Sequence, residues 1–174
     1  LTEESSYEDA ADAAEGLVVQ WNLGEVPARR LEAAISEQLD VLVLYVDAPP
    51  GISGAATRLS DLSAILVNRR ETMRRRSYDM AHELFHILTW DAMPPARSDA
   101  EEPRRVKGRR VEQLANNFAA ALLMPAEIVR GHVALRGEDS VAAWMQRTAS
   151  TLQVSVLALR YRLENLRIIV ASQL

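Results

Sequence analysis

No cysteine occurs in the 174 residues, which excludes disulfides and thiolate metal sites; any metal must be held by His, Asp, Glu or water. No apolar run approaches the eighteen or so residues of a membrane span. The acidic start LTEESSYEDAADAAEG lacks the basic opening and apolar centre of a signal peptide. The expectation is therefore a protein of the cytoplasm with no membrane partner, whose reducing conditions also suit a chain without cysteine. An initiator methionine is missing as well. The opening Leu1 leads us to expect processing, or the C-terminal part of something longer. The excess of positive charge typical of a general polyanion binder is absent too, since the formal net charge is -4 and the pI about 5.5. What is present, 48% hydrophobic and 25% charged residues, has the balance of one domain over 1–174 with a sizeable core.

Apolar positions Ala10, Ala11, Ala14, Leu17, Val18 and Trp21 recur at helical spacing, and Gly24 and Pro27 stop the pattern. Pro27 is suited to opening a second helix through ARRLEAAISEQL. VLVLYV (41–46) predicts a buried strand and APPGISG a turn; SAILVN (63–68) predicts a second strand after a loop. A helix is predicted over 77–90 with Ser77 as N-cap. The segment 91–108, with three prolines and eight charged residues, predicts a mobile surface loop. Helix returns in RRVEQLANNFAAALLM, breaks at Pro125, restarts in AEIVRGHV, and closes the chain (138–168) in SVAAWMQRTAS and VSVLALRYRLENL. The tail RIIVAS is read as a short strand or a docked end. The class is α+β, mainly helical, with a small sheet beside the helix of 77–90.

That helix carries SYDMAHELFHILTW. At about 100° per residue, His82 and His86 share one face, one turn apart, so both imidazoles can reach one ion. Glu83 sits where its carboxylate can reach a water on that ion without binding the ion. This is the H-E-x-x-H arrangement of zinc peptidases, in which the metal acidifies a water and the glutamate takes its proton. The motif also occurs in proteins that bind no metal, so a third ligand is needed. Asp91, Asp99, Glu101, Glu102, Glu112 and His132 are the candidates. A ligand in a mobile loop would be poorly held. Glu112 lies at the shoulder of a core stripe formed by Val111, Leu114, Ala115, Phe118 and Leu122, with Asn116 one turn on to support a ligand. Its alternative is a simple ion pair with Arg109 or Arg110, and spacing does not choose between the two.

The segments AILVNRRETMRRRSYDMAHELFHIL and VEQLANNFAAALLMP resemble the two signature blocks of the ImmA/IrrE family of metallopeptidases. Ala81, His82, Glu83 and His86 match the first block; Glu112, Ala115, Asn116, Phe118, Ala119, Ala120, Leu123, Met124 and Pro125 match the second. WNLGEVPARRLEAAISEQLDVLVLYV and LQVSVLALRYRLENL resemble the flanking segments more loosely. The resemblance implies a zincin-like domain that binds Zn2+ through His82, His86 and Glu112, with Glu83 as general base. It also implies a cytoplasmic regulatory endopeptidase whose protein substrate is a helix-turn-helix repressor, cut in stress response or mobile-element control. Phe85 stands where many relatives have glycine, so its ring is expected to narrow the gap to the neighbouring strand. Ala121 replaces a common glutamate.

Arginines 69, 70, 74, 75 and 76, and the basic run from Arg104 to Arg110, can hold phosphate backbones. With 5% aromatic residues and a net acidic chain, a solvated face or a contact with an acidic protein is the favoured reading. LQVSVLALRYRLENL resembles half of a helix-turn-helix, yet its stripe serves core packing equally well. His132 reads as a surface or partly buried side chain, with an oxyanion role as its functional alternative. Trp21, Trp90 and Trp144 read as core anchors. Beside the peptidase stands a second function: a non-catalytic ligand-sensing or protein-binding domain of a helix-turn-helix transcription regulator.

Overall fold

The computed structural model describes residues 1–60, 62–95 and 106–169, with nothing said of the side chains of 106–108. Among these lie seven α-helices, α1 (Tyr7–Gln20), α2 (Leu31–Leu39), α3 (Met73–Leu88), α4 (Val106–Leu123), α5 (Ala126–Ala134), α6 (Val141–Thr151) and α7 (Val156–Asn165), and three strands, β1 (Val41–Val46), β2 (Gly54–Arg58) and β3 (Ser63–Asn68). The class is α+β and mainly helical, as the pattern implied. No helix among the described residues is long and apolar enough to cross a membrane.

The order of the sheet is β1-β3-β2, with β1 parallel to β3 and β2 antiparallel to it. Only the central strand is buried along most of its length; β1, expected to be buried, is an edge strand that leaves Leu42 and Leu44 exposed. Helix α2 packs on β1 and the face that carries Leu42 and Leu44 is left open, so alternate side chains of VLVLYV meet solvent. Strand β2 was expected to be loop. Its sequence GAATR has little β-propensity, and pairing with β3 (Ala56 opposite Ile65) rather than local preference makes it a strand. Asn68, buried at the end of β3, donates its Nδ2 to the Ile52 carbonyl (2.8 Å) and so anchors the turn that delivers β2.

Helix starts follow their caps. Ser6 and Asp9 form a reciprocal capping box on α1. Helix α3 begins five residues earlier than the Ser77 cap would allow: Thr72 accepts the Arg75 N–H, while Ser77 turns its hydroxyl back to the Met73 carbonyl inside the helix. Both residues can cap, and the earlier one won because MRRR has no helix breaker. Pro27 opens a single 3₁₀ turn (Pro27–Arg29) rather than α2 itself.

Helix α4 is the spine of the core. Val111, Leu114, Ala115, Phe118 and Leu122 are all buried, and the helix packs on α1 along one side and α3 along another. Trp21 and Trp144 are core residues as expected. Trp90, past the end of α3, is half-exposed and is not a core anchor. Met93 instead fills that corner, held by its N–H to the Thr89 carbonyl (2.7 Å). Of the expected loop 91–108, residues 106–108 are the first turn of α4 and 96–105 lie outside the described residues. The tail expectation is met in part: Ile168 and Ile169 pack on the core with no strand, and 170–172 are outside the described residues.

Candidate metal centre

Helix α3 carries one long apolar face into the core (Met80, Ala81, Leu84, Phe85) and turns the next face towards β2 and α4. His82, Glu83 and His86 lie on that second face. Helix α4 crosses α3 so that Glu112 and Asn116, one turn apart, look back at the histidines. Phe85, the bulky residue where many relatives have glycine, turns its ring to α4. It is fully buried, its ring centroid 5.5 Å from that of Phe118 on α4 and edge-on to His86.

The donor atoms converge. His82 Nε2 lies 3.1 Å from Glu112 Oε2, His86 Nε2 lies 3.5 Å from Glu112 Oε1, and the two Nε2 atoms are 3.2 Å apart. Tetrahedral coordination at zinc-like bond lengths of about 2.0–2.1 Å puts neighbouring ligand atoms roughly 3.3 Å apart. The His82–His86 and His82–Glu112 separations are close to that edge length, and single ligand atoms from all three side chains lie within 4.8 Å of one another, so this donor set fits a small four-coordinate cation. Two imidazole nitrogens facing each other at such a distance also have little reason to meet unless they share a proton or an ion.

Hydrogen bonds aim the rings. Asn116 Oδ1 accepts from His82 Nδ1 (3.2 Å) and from the Tyr78 hydroxyl (3.2 Å), which leaves the His82 Nε2 lone pair pointing inward. Burial and the neighbouring His82 push the His86 pKa down to about 4, so this ring stays neutral and keeps a lone pair for a cation. His86 Nδ1 is buried without a partner. For His82, burial works against the charged ring, but the Glu112 hydrogen bond and the charges of Glu83 and Glu112 outweigh it and raise the pKa.

Glu83 stands beside this triad against the edge strand. Burial raises its pKa to about 7, opposed by His82 and by the Ala56 N–H of β2, which hydrogen-bonds the carboxylate, and reinforced by Glu112 and Asp79. The approach is close: a Cβ on Gly54 would lie 3.2 Å from Glu83 Cγ and 3.1 Å from the Leu66 carbonyl oxygen. Gly54 and Ala56 are functional positions missed in the sequence. Their signal was slight, a glycine where the chain passes close to another backbone. Buried Asp79, paired with Arg75 at 3.0 Å, was missed too.

The other candidates do not join. Asp91 pairs with Arg58 on the surface. His132 is half-buried on α5, outside the convergent group, and its carbonyl accepts from Trp144 Nε1. Asp99, Glu101 and Glu102 are outside the described residues. Arg110, offered as an ordinary partner for Glu112, instead bonds the Ser5 carbonyl and stacks over Tyr7.

A cleft of about 1270 Å³ runs past these groups, from the Gly51–Ala55 segment over His82 and Glu83 to Val154–Ala158 and Tyr161. Exposed Val156, Leu157 and Tyr161 at the start of α7 thus face the cleft, while Leu159 and Leu163 serve the core. The outer edge of β2, His82, Glu112 and a carboxylate titrating near neutrality line one trough, with His86 buried behind them. Such a trough can hold an extended polypeptide across a Lewis acid and a general base.

A family profile for peptidase M78, described as the IrrE N-terminal-like domain, matches residues 36–164. Among solved structures, a Mycobacterium tuberculosis transcriptional regulator superposes with a TM-score of 0.65 at 20% identity, covering 90% of this chain and 46% of its own. The likeness is one of fold, and the chain spans about half the length of that regulator. No curated protein sequence matches.

Proposed function

Because the chain belongs to the M78 peptidase family, through an IrrE N-terminal-like domain at residues 36–164, we propose that it is a zinc-dependent endopeptidase with one protein substrate, a helix-turn-helix repressor. The observation that carries the metallopeptidase reading is the convergence of His82, His86 and Glu112, whose donor atoms all lie within 4.8 Å of one another, with Glu83 alongside. These three residues would hold the metal. Bound there, zinc would supply Lewis acidity to a water and to the scissile carbonyl.

The remaining steps belong to the chain's own residues. Glu83, poised near neutrality, accepts the proton of the attacking water and returns it to the leaving amine. The Ala56 N–H holds the carboxylate in place, and Gly54 leaves it the room. Asn116 and Tyr78 keep His82 in one tautomer and orientation. The outer edge of β2, beyond the Ala56 N–H that Glu83 takes, offers main-chain hydrogen bonds to an extended substrate, which places the peptide beside Glu83. The repressor as substrate rests on the family resemblance alone.

The test is incubation of the zinc-loaded protein with a helix-turn-helix repressor, with and without chelator, for wild type and Glu83→Gln. Cleavage in wild type, lost with chelator and reduced at least a hundredfold in the Gln variant, is expected. Persistent cleavage by Glu83→Gln would overturn the mechanism. A second reading, a sensing or partner-binding domain of a regulator, is favoured by the fold it shares with a transcriptional regulator about twice its length. Repressor binding without cleavage by the zinc-loaded protein would select it.

A further inference from the structure

On the side of α3 turned away from His82 lies a second cavity, of about 530 Å³, between the 3₁₀ turn, α2, β1 and α3. Met73, Arg76 and Met80, spaced one helical turn apart, form its α3 wall; Arg29, Glu32 and Tyr45 stand opposite. We propose that this cavity is a binding site for a small organic anion, whose carboxylate or phosphate is held by Arg76 and Arg29 and whose apolar body lies against Met73 and Met80.

Arg76 is the exception in its cluster. Arg69 reaches the Tyr45 carbonyl and Asp47, Arg70 reaches Asp47, Arg74 reaches Ser150, and Arg75 reaches Asp79. Arg76 has none of these: its Nε is buried without an acceptor, and its guanidinium lies 5.4 Å from the centroid of the Tyr45 ring. The half-buried guanidinium lines the cavity with no protein acceptor among the described residues on its terminal nitrogens, and those N–H groups are open to an acceptor that comes from outside. The one carboxylate in the lining does not fill that need. Glu32 Oε2 is taken by the Tyr45 hydroxyl at 2.5 Å. Arg29 is exposed at the same cavity, so the lining holds two guanidinium groups against a single carboxylate, and neither guanidinium is hydrogen-bonded to it.

Size and lining decide the rest of the ligand. The volume lies within the range of small-molecule sites, and a lone inorganic anion would leave most of it as water. Methionine side chains adapt to apolar bodies of varied shape. The ligand is thus an amphiphilic anion, and it would brace the same helix that carries His82, Glu83 and His86, from behind.

Octanoate and octyl phosphate probe the two headgroups, with octylamine and inorganic phosphate as controls, by calorimetric titration and thermal shift on the full chain. The expected result is one-to-one binding of either or both octyl anions. Inorganic phosphate should bind at least tenfold more weakly and octylamine not detectably. The tighter octyl anion names the headgroup. Arg76→Gln should weaken anion binding at least tenfold, and Arg75→Gln, in the other cleft, should leave it unchanged. If Arg76→Gln does not fold, Arg29→Gln, on the surface, carries the same expectation. Octylamine binding as tightly as octanoate, no binding of either octyl anion at millimolar concentration, loss of binding in Arg75→Gln, or wild-type affinity in the folded arginine variants would each overturn the proposal.

Discussion

Gly54 is conserved in geometry by its neighbours: a methyl group there meets the Leu66 carbonyl and the Glu83 Cγ at 3.1 and 3.2 Å, closer than either yields without moving. Gly54→Ala is therefore expected to displace the Glu83 carboxylate and lower kcat at least tenfold, while zinc affinity at the proposed His82, His86 and Glu112 site stays within about twofold. Parallel turnover and metal titration check this, and equal losses in both would show that the strand shifts the whole site. A pH-dependent stability follows from Glu83 itself. Its pKa is raised from 4.5 to about 7, so the metal-free fold favours the protonated acid; its contribution to stability is full below pH 4.5 and is lost as pH rises from there to about 7. Glu83→Gln, which cannot ionise, should match wild type below pH 4.5. It should be more stable above pH 7, by at most about 3 kcal/mol, in denaturant melts with chelator present. A pH-independent difference would mean the carboxyl is not buried as described.

Between elements, the join to watch is where α1, α5 and α7 meet. Arg162, buried on α7, donates Nε to the Met124 carbonyl at 2.9 Å and pairs through its Nη2 with Glu15 of α1, which also accepts the Ala126 N–H at the start of α5. Burial lowers the Arg162 pKa, and Glu15 works against that. Removing Glu15 leaves a buried guanidinium without its counter-ion. Glu15→Ala is thus expected to cost about 3 kcal/mol and lower Tm by roughly 6–12 °C, whereas Glu15→Gln, which keeps an acceptor, should cost less. Thermal melts of the two variants test the order. None of this was visible along the chain, since Glu15 and Arg162 sit in separate helices and either alone reads as a solvated charge. The opposite holds for α4, whose core stripe was legible because a buried helix face repeats with the helical period. Strand β2 was illegible for the converse reason, as its alanines and glycine acquire strand character only from β3.

For the whole molecule, the proposed metal centre joins two helices that are distant in sequence: α3 carries two of the converging side chains and α4 the third. A cation held by all three stabilises the folded chain by linkage, about 2.7 kcal/mol at a hundredfold excess over Kd, or roughly 5–10 °C in Tm. Zinc should raise the Tm of wild type by that order, chelator should reverse it, and Glu112→Gln should lose most of the gain. An undiminished gain in Glu112→Gln would remove Glu112 from the ligand set. The sequence by itself determined the helical class, the stripe of α4 and the pairing of His82 with His86, because each depends on spacing within one element. Tertiary structure alone decided that Glu112 meets the histidines while Asp91 and His132 do not. It alone brought an edge strand to rest on Glu83, and it alone left Arg76 unpartnered in a second cavity. Local periodicity fixes which face a side chain occupies, but only packing determines what that face meets.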